Sequence, residues 1–239
     1  MENDPEERRD ALVTPEIIRA TARVNPVRIR MRPHLWPTWA EIAIDQEANA
    51  RVARASELKL AAEEPGKQGL GDLLLWELEA SLVSIAAASH SLDALYGVLV
   101  EMVIEPELRE KWREKRESGK KGPPRHRQVF ETIKRAVVTE EETLTRWIAE
   151  FKWLFDLRDA AVHHREETAD SVPHPSGTTN SSAIHLSYCV ETSERAVNLL
   201  IEVLAQGVSS QRANKADVAK WADDCRGTVE RLRARRRYG

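Results

Sequence analysis

From Gly71 to Ile104 the residues Leu75, Leu78, Leu82, Ile85, Ser89, Leu92, Tyr96, Leu99 and Val103 fall alternately three and four positions apart, for about four heptads. A strand would repeat every second residue, so this spacing commits the segment to one long helix with one buried face. A face of that length must be covered by an antiparallel partner in the same chain or by a second copy, and periodicity leaves both open. Pro106 closes the helix. The composition suits such a bundle: 31% of the residues are charged, only 5% are aromatic, and the core must come from Leu, Val, Ile and Ala.

The flanks read as helices too. Residues 1–36 mix charges and prolines with a short alternating run from Val27 to Arg32 that stops at Pro33, as expected of a loosely ordered arm. Between Pro37 and Glu64 the prolines vanish and Ala, Glu, Arg and Leu dominate; Pro37 suits a first turn and Pro65-Gly66 an ending. Thr139-Glu140-Glu141-Glu142 forms a capping box that starts a helix at Thr139, with an apolar stripe at Leu144, Ile148, Phe151 and Phe155. A polar loop at 166–181 follows, then an apolar helix from Ser182 to Val208, and a last helix from about Asn214, where Asn214 and Asp217 mark the start. The expected organisation is all-α: an arm at 1–36, a helical extension at 37–69, an antiparallel bundle at 70–210 and a basic helix at 211–239.

The formal net charge is −3, so attraction to nucleic acid must be local. Between Arg109 and Arg127 lie nine basic residues, broken by Gly119, Gly122, Pro123 and Pro124. This segment reads as a mobile basic loop in which Arg113, Lys115, Arg116, Lys120, Lys121, Arg125 and Arg127 would steer RNA phosphates. Trp36 and Trp39 could stack on bases, but beside a helix start they suit core packing better. The arginines of the tail, Arg233, Arg235, Arg236 and Arg237, suit either RNA, an acidic partner surface or solvent.

Cys189 and Cys225 are too few for a disulfide framework, which points to buried thiols and a reducing, cytoplasmic setting. The acidic start of the chain is unlike a secretory signal, and no apolar run reads as a membrane span, so no membrane partner is expected. His90, beside the seam of the long helix, reads as a core or surface histidine, and His174 and His185 lack the spacing of helical metal sites; no glycine-rich phosphate loop occurs, and neither metal nor cofactor is expected.

Chemistry concentrates at Leu157-Arg158-Asp159-Ala160-Ala161-Val162-His163-His164. Arg158 continues the apolar register of its helix, taking a place where the pattern calls for a core residue. Arginine is a permanent cation whose fork of donors matches phosphate, and histidine moves protons near neutral pH. Asp159 and His163, four apart, share a helical face, so the carboxylate could orient the imidazole. His164 is an alternative or auxiliary member. With RNA, His163 would act as acid or base on a ribose 2′-hydroxyl while Arg158 stabilised the charged phosphate, without a metal. One histidine serves poorly as both base and acid in one step, so a second copy of the chain would complete the site. The plainer reading of the same residues is a local Arg158–Asp159 ion pair with the histidines capping the helix end.

This octet resembles the signature of the HEPN superfamily, the higher eukaryote and prokaryote nucleotide-binding domains, in which an arginine, often a polar residue, and a histidine are spaced as Arg158, Asp159 and His163 are here. The family's order, a motif late in a long helix followed by a loop and another long helix, is met between about Gly71 and Val208, a little over half of the chain. The resemblance implies a HEPN-like helical bundle and a metal-independent endoribonuclease whose two motifs face each other in a homodimer. It further implies a toxin or a factor in defence against phage, with an antitoxin or other protein partner. Relatives without catalysis imply the rival function, a dimerising module that binds a nucleotide or a protein.

Overall fold

The computed structural model describes residues 35–63, 69–119, 122–162, 172–177, 180–181, 186–209 and 216–238. These residues form an all-α fold of seven helices: α1 Trp36–Glu63, α2 Leu70–Val103, α3 Pro106–Glu117, α4 Arg125–Ala136, α5 Glu141–Val162, α6 Val190–Ser209 and α7 Ala216–Tyr238. The sheet content among them is a two-residue antiparallel ladder, β1 Val172–Pro173 against β2 Asn180–Ser181.

The helices pair as three antiparallel hairpins, α1 with α2, α4 with α5, and α6 with α7, and α2 also touches every one of the last four. One apolar core joins them, from Trp36 on α1 through Leu92, Phe151 and Leu200 to Leu232 on α7. The core therefore crosses positions 70 and 210, and the segments read as an extension and an added helix are full members of the bundle.

The expected seam on α2 is real, with Ile85, Ser89, Leu92, Leu99 and Val103 buried, although Leu75 at its start is 49% exposed. A second buried face was not expected. It carries small residues, Ala80, Ser81, Ser84, Ala87, Ala88 and Ser91, and α1 buries Ala40, Ala43, Ala50 and Ala53. Short side chains let the two backbones approach, and two serines complete the contact. Ser84 Oγ donates to the Ala43 carbonyl and Ser91 Oγ to the Trp36 carbonyl, both at 2.8 Å. A buried hydroxyl must find an acceptor, and here the neighbouring main chain supplies it. By length and composition α2 also qualifies as a candidate membrane span, contrary to the reading of its sequence; half of its apolar stretch is buried inside the bundle.

The largest departure from expectation lies in the basic segment. Residues 106–117 are helix α3 and residues from 125 onward are helix α4, so the basic loop shrinks to the short connection between them. Pro106, which stops α2, occupies the first turn of α3, where its missing N–H costs nothing. Glu110 and Glu117 flank Arg113 at helical spacing and pair with it, which favours helix over loop. Gly119, at φ +67°, supplies the left-handed turn beyond the helix end. Helix α5 begins at Glu141, two residues past the capping box's threonine, with the Glu140 carbonyl accepting from the Leu144 N–H at 3.1 Å.

Helix α7 is fastened at both ends. Trp221 meets Trp36 edge to face, with ring centroids 6.4 Å apart. Gly207 of α6 makes room for it, since a Cβ there would lie 3.4 Å from the indole. At the far end Arg235 grips Asp45 of α1 through two bonds of 2.6 and 2.7 Å, while Arg236 bonds to Asn198 and lies 3.6 Å from Glu47. The basic tail thus clasps the bundle at these two arginines, and the expected packing role of Trp36 is met.

Candidate functional site

The site suggested by the octet lies at the C-terminal end of α5. Trp147, Phe151, Leu154 and Phe155 bury one side of that helix and fix its rotation. Arg158, one turn past Leu154, has a side chain 17% exposed, with its guanidinium 4.6 Å from the centre of the Phe155 ring. The cation takes a core position by covering an aromatic face, which solvates it in part and leaves its edge toward solvent. Its Nε and Nη2 donate to Asp159 Oδ1 at 3.0 and 2.7 Å. The local ion pair of the plainer reading is therefore formed. The orienting role expected of Asp159 toward His163, and the positions of His163 and His164, lie outside the described residues.

The α4–α5 hairpin adds a residue that sequence spacing did not single out. Phe130 packs edge to face on Phe151, centroids 6.0 Å apart, so the start of α4 and the end of α5 lie at the same end of the hairpin. His126 sits there, half-buried. Burial pulls its pKa below the ordinary value of 6.5, Asp156 and Asp159 oppose that shift, and Lys152 and Arg127 reinforce it. His126 therefore lies within the electrostatic field of Asp156 and Asp159 on the last turns of α5. The signal was available in Pro123-Pro124-Arg125-His126-Arg127, two prolines followed by a polar helix start, but only the hairpin brings it to α5.

The expected RNA contacts divide. Arg125 is held elsewhere, its Nε 2.5 Å from Asp93 and its guanidinium 4.0 Å over the Tyr96 ring, so it braces α4 on α2. Arg113 is paired with Glu110 and Glu117 on its own helix, Lys115 is half-buried, and Arg127 is exposed beside the α5 end. Lys120, Lys121 and the side chain of Arg116 lie outside the described residues. A pocket of about 210 Å³ between α2, α3 and α4 combines Tyr96 and Trp112 with Arg109 and Arg113. The Nε of Arg109 is buried there without a hydrogen bond among the described residues.

Two further features concern the other histidines and the thiols. His90 stacks on Trp39, centroids 5.0 Å apart, on the surface of the α1–α2 hairpin. His174, expected to be a scattered loop histidine, is instead only 3% exposed and lies among the carboxylates of Glu57 and Glu77. Both cysteines are free; burial pushes Cys189 up and Cys225 to about 11, so both remain thiols at neutral pH.

The fold and site define an all-α helical bundle with an arginine–aspartate ion pair at one helix end. Comparison with protein-family models, curated proteins and solved structures finds no match to this chain.

Proposed function

We propose that this chain is a metal-independent endoribonuclease of HEPN type, acting as a homodimer in the cytoplasm in a toxin or phage-defence role. The observation that carries the reading is Arg158, a cation laid over Phe155 at the end of α5 with the His126 end of α4 beside it. A phosphate would compete with Asp159 for the guanidinium fork, since both offer paired oxygen acceptors. An imidazole removes the proton of a ribose 2′-hydroxyl, which attacks the adjacent phosphorus while Arg158 stabilises the equatorial charge. A protonated second imidazole gives its proton to the departing 5′-oxygen, so the products are a 2′,3′-cyclic phosphate and a 5′-hydroxyl. His163 is the first imidazole; His163 of a second copy, or His126 of the same chain, is the second. The pocket of Tyr96, Trp112 and Arg109 would hold a flanking base and phosphate.

The test is cleavage of a labelled RNA in chelator by the purified chain. His163→Ala and Arg158→Ala are expected to lose about 100-fold or more of the rate while the fold persists. Undiminished cleavage by His163→Ala shows the mechanism to be wrong. The rival reading, a non-catalytic dimerising module that binds a nucleotide or a protein, is favoured by the engagement of Arg158 with Asp159. It predicts RNA or nucleotide binding that depends on Arg158 and no cleavage by the parent.

A further inference from the structure

The buried polar cluster at the other end of the α1–α2 hairpin calls for its own explanation. Glu57 near the end of α1, Glu77 near the start of α2 and His174 in the β1–β2 connection are 1%, 1% and 3% exposed. One ligand atom from each lies within 4.8 Å of the other two. Carboxylates this deep are costly unless they are paired or coordinate a cation.

Arg54 neutralises part of the cluster. Its Nε and Nη2 grip Glu77 at 2.8 and 2.6 Å, and its Nη1 reaches Glu191 of α6 at 2.9 Å. Its single charge is thus already divided between two carboxylates, and its Nε is 3.7 Å from a third, Glu57. Burial opposes the charge on Glu191, but Cys189 and Arg54 bond to its carboxylate and hold it below its ordinary pKa.

Each candidate ligand is also held from behind. His174 Nδ1 lies 2.9 Å from Ser176 Oγ, and Ser176 Oγ donates to Glu57 Oε1 at 2.8 Å. The Ser176 main-chain N–H also points at Nδ1, at 3.3 Å, so the serine fixes the ring from that side through both its groups; an ion at Nε2 would take the tautomer in which Nδ1–H donates to the hydroxyl. Glu77 Oε1 accepts from the Val190 N–H at 3.0 Å as well as from Arg54, while its Oε2 accepts one bond. An Nδ1-anchored imidazole with hydrogen-bonded carboxylates is the outer-shell arrangement that orients metal ligands.

We propose that Glu57, Glu77 and His174 form a structural site for a divalent first-row transition ion of the zinc type. One imidazole and two carboxylates match the borderline N/O donor set such ions take, with a fourth position for water. The ion would tie α1 and α2 to the connection at 172–177, whose own ladder is only two residues long. Glu77 would be shared between the ion and Arg54. This site is separate from the α5 site, and the reaction proposed there needs no metal.

The test uses the full chain, stripped with chelator and titrated with zinc chloride by calorimetry. About one equivalent should bind and raise the melting temperature. His174→Ala and Glu57→Gln should weaken binding by about 100-fold or more, while His90→Ala and Cys225→Ser leave it unchanged. If His174→Ala fails to fold, cobalt chloride added to the parent decides: visible bands of a low-coordinate N/O site without sulfur-to-cobalt charge transfer support the proposal. No uptake by the folded parent, uptake unchanged in a folded His174→Ala, or a cobalt spectrum dominated by thiolate overturns it.

Discussion

Arg54 and Arg158 each bond to a neighbouring carboxylate through two nitrogens, yet they occupy opposite situations. Arg54 joins residues 23 and 137 positions away and bridges three helices, with its bonds to Glu77 buried and Glu191 reaching it from the surface. Arg158 pairs with the very next residue and keeps its partner largely exposed. A buried bridge between distant elements has no spare donor edge and serves the fold, whereas a local pair at a helix end can be exchanged for a ligand at small cost. The difference makes Arg158, and not Arg54, the candidate for phosphate binding.

The largest expected effect breaks the interior bridge. Arg54→Ala should cost about 3–5 kcal/mol in urea unfolding, because it leaves buried carboxylates without their cation. A loss under about 1 kcal/mol would mean that Glu77 is solvated and that the contrast with Arg158 is false. Next comes the hairpin that carries Arg54 and Glu77. Ala43→Leu should cost about 1–3 kcal/mol by forcing apart backbones that touch through Ser84, with the same unfolding experiment as the check.

A smaller effect is a pH dependence at the α5 end. His126 has a lowered pKa, so the folded protein favours the neutral ring. Its contribution is complete above the ordinary value of about 6.5 and is lost as pH falls from there through the folded value. Melting temperatures of His126→Asn measured between pH 8 and 5 should therefore fall less than those of the parent. An identical decline would place His126 in water, away from the α5 site. The smallest effect is that of Arg158→Ala on stability, about 0.5–2 kcal/mol, the sum of an ion pair to the largely exposed Asp159 and the contact with the Phe155 ring. A loss several times larger would make Arg158 a core residue and weaken its claim as a phosphate ligand.

Much of the backbone was legible. Pro37 to Glu64 and Gly71 to Ile104 were expected as helices, and α1 and α2 run from Trp36 to Glu63 and from Leu70 to Val103. Prolines and glycines mark such ends because they act on the backbone locally. The same marks misled in the basic segment, where Gly119 and Pro123-Pro124 were read as a loop although Glu–Arg pairing makes its first half helical. Helix α4 was missed because only its packing against α5 gives its short apolar stripe, Val129, Phe130 and Ile133, a partner.

The candidate site was legible in one half. The octet pointed to Arg158 and Asp159, and their spacing alone allowed the pair that forms. His126 could not be linked to them, since the two lie more than thirty positions apart. The carboxylates around His174 were invisible for the same reason, coming from two helices and a connection.

By itself the amino-acid order determined the all-helical class, the long buried face of α2 and an arginine set in an apolar register, because helical periodicity and breaker residues are properties of neighbours in the chain. Only the tertiary structure decided which charges are buried together and which remain exchangeable. Burial and pairing of a charge depend on elements brought together across the chain, and the cost of taking that charge out of water depends on those surroundings.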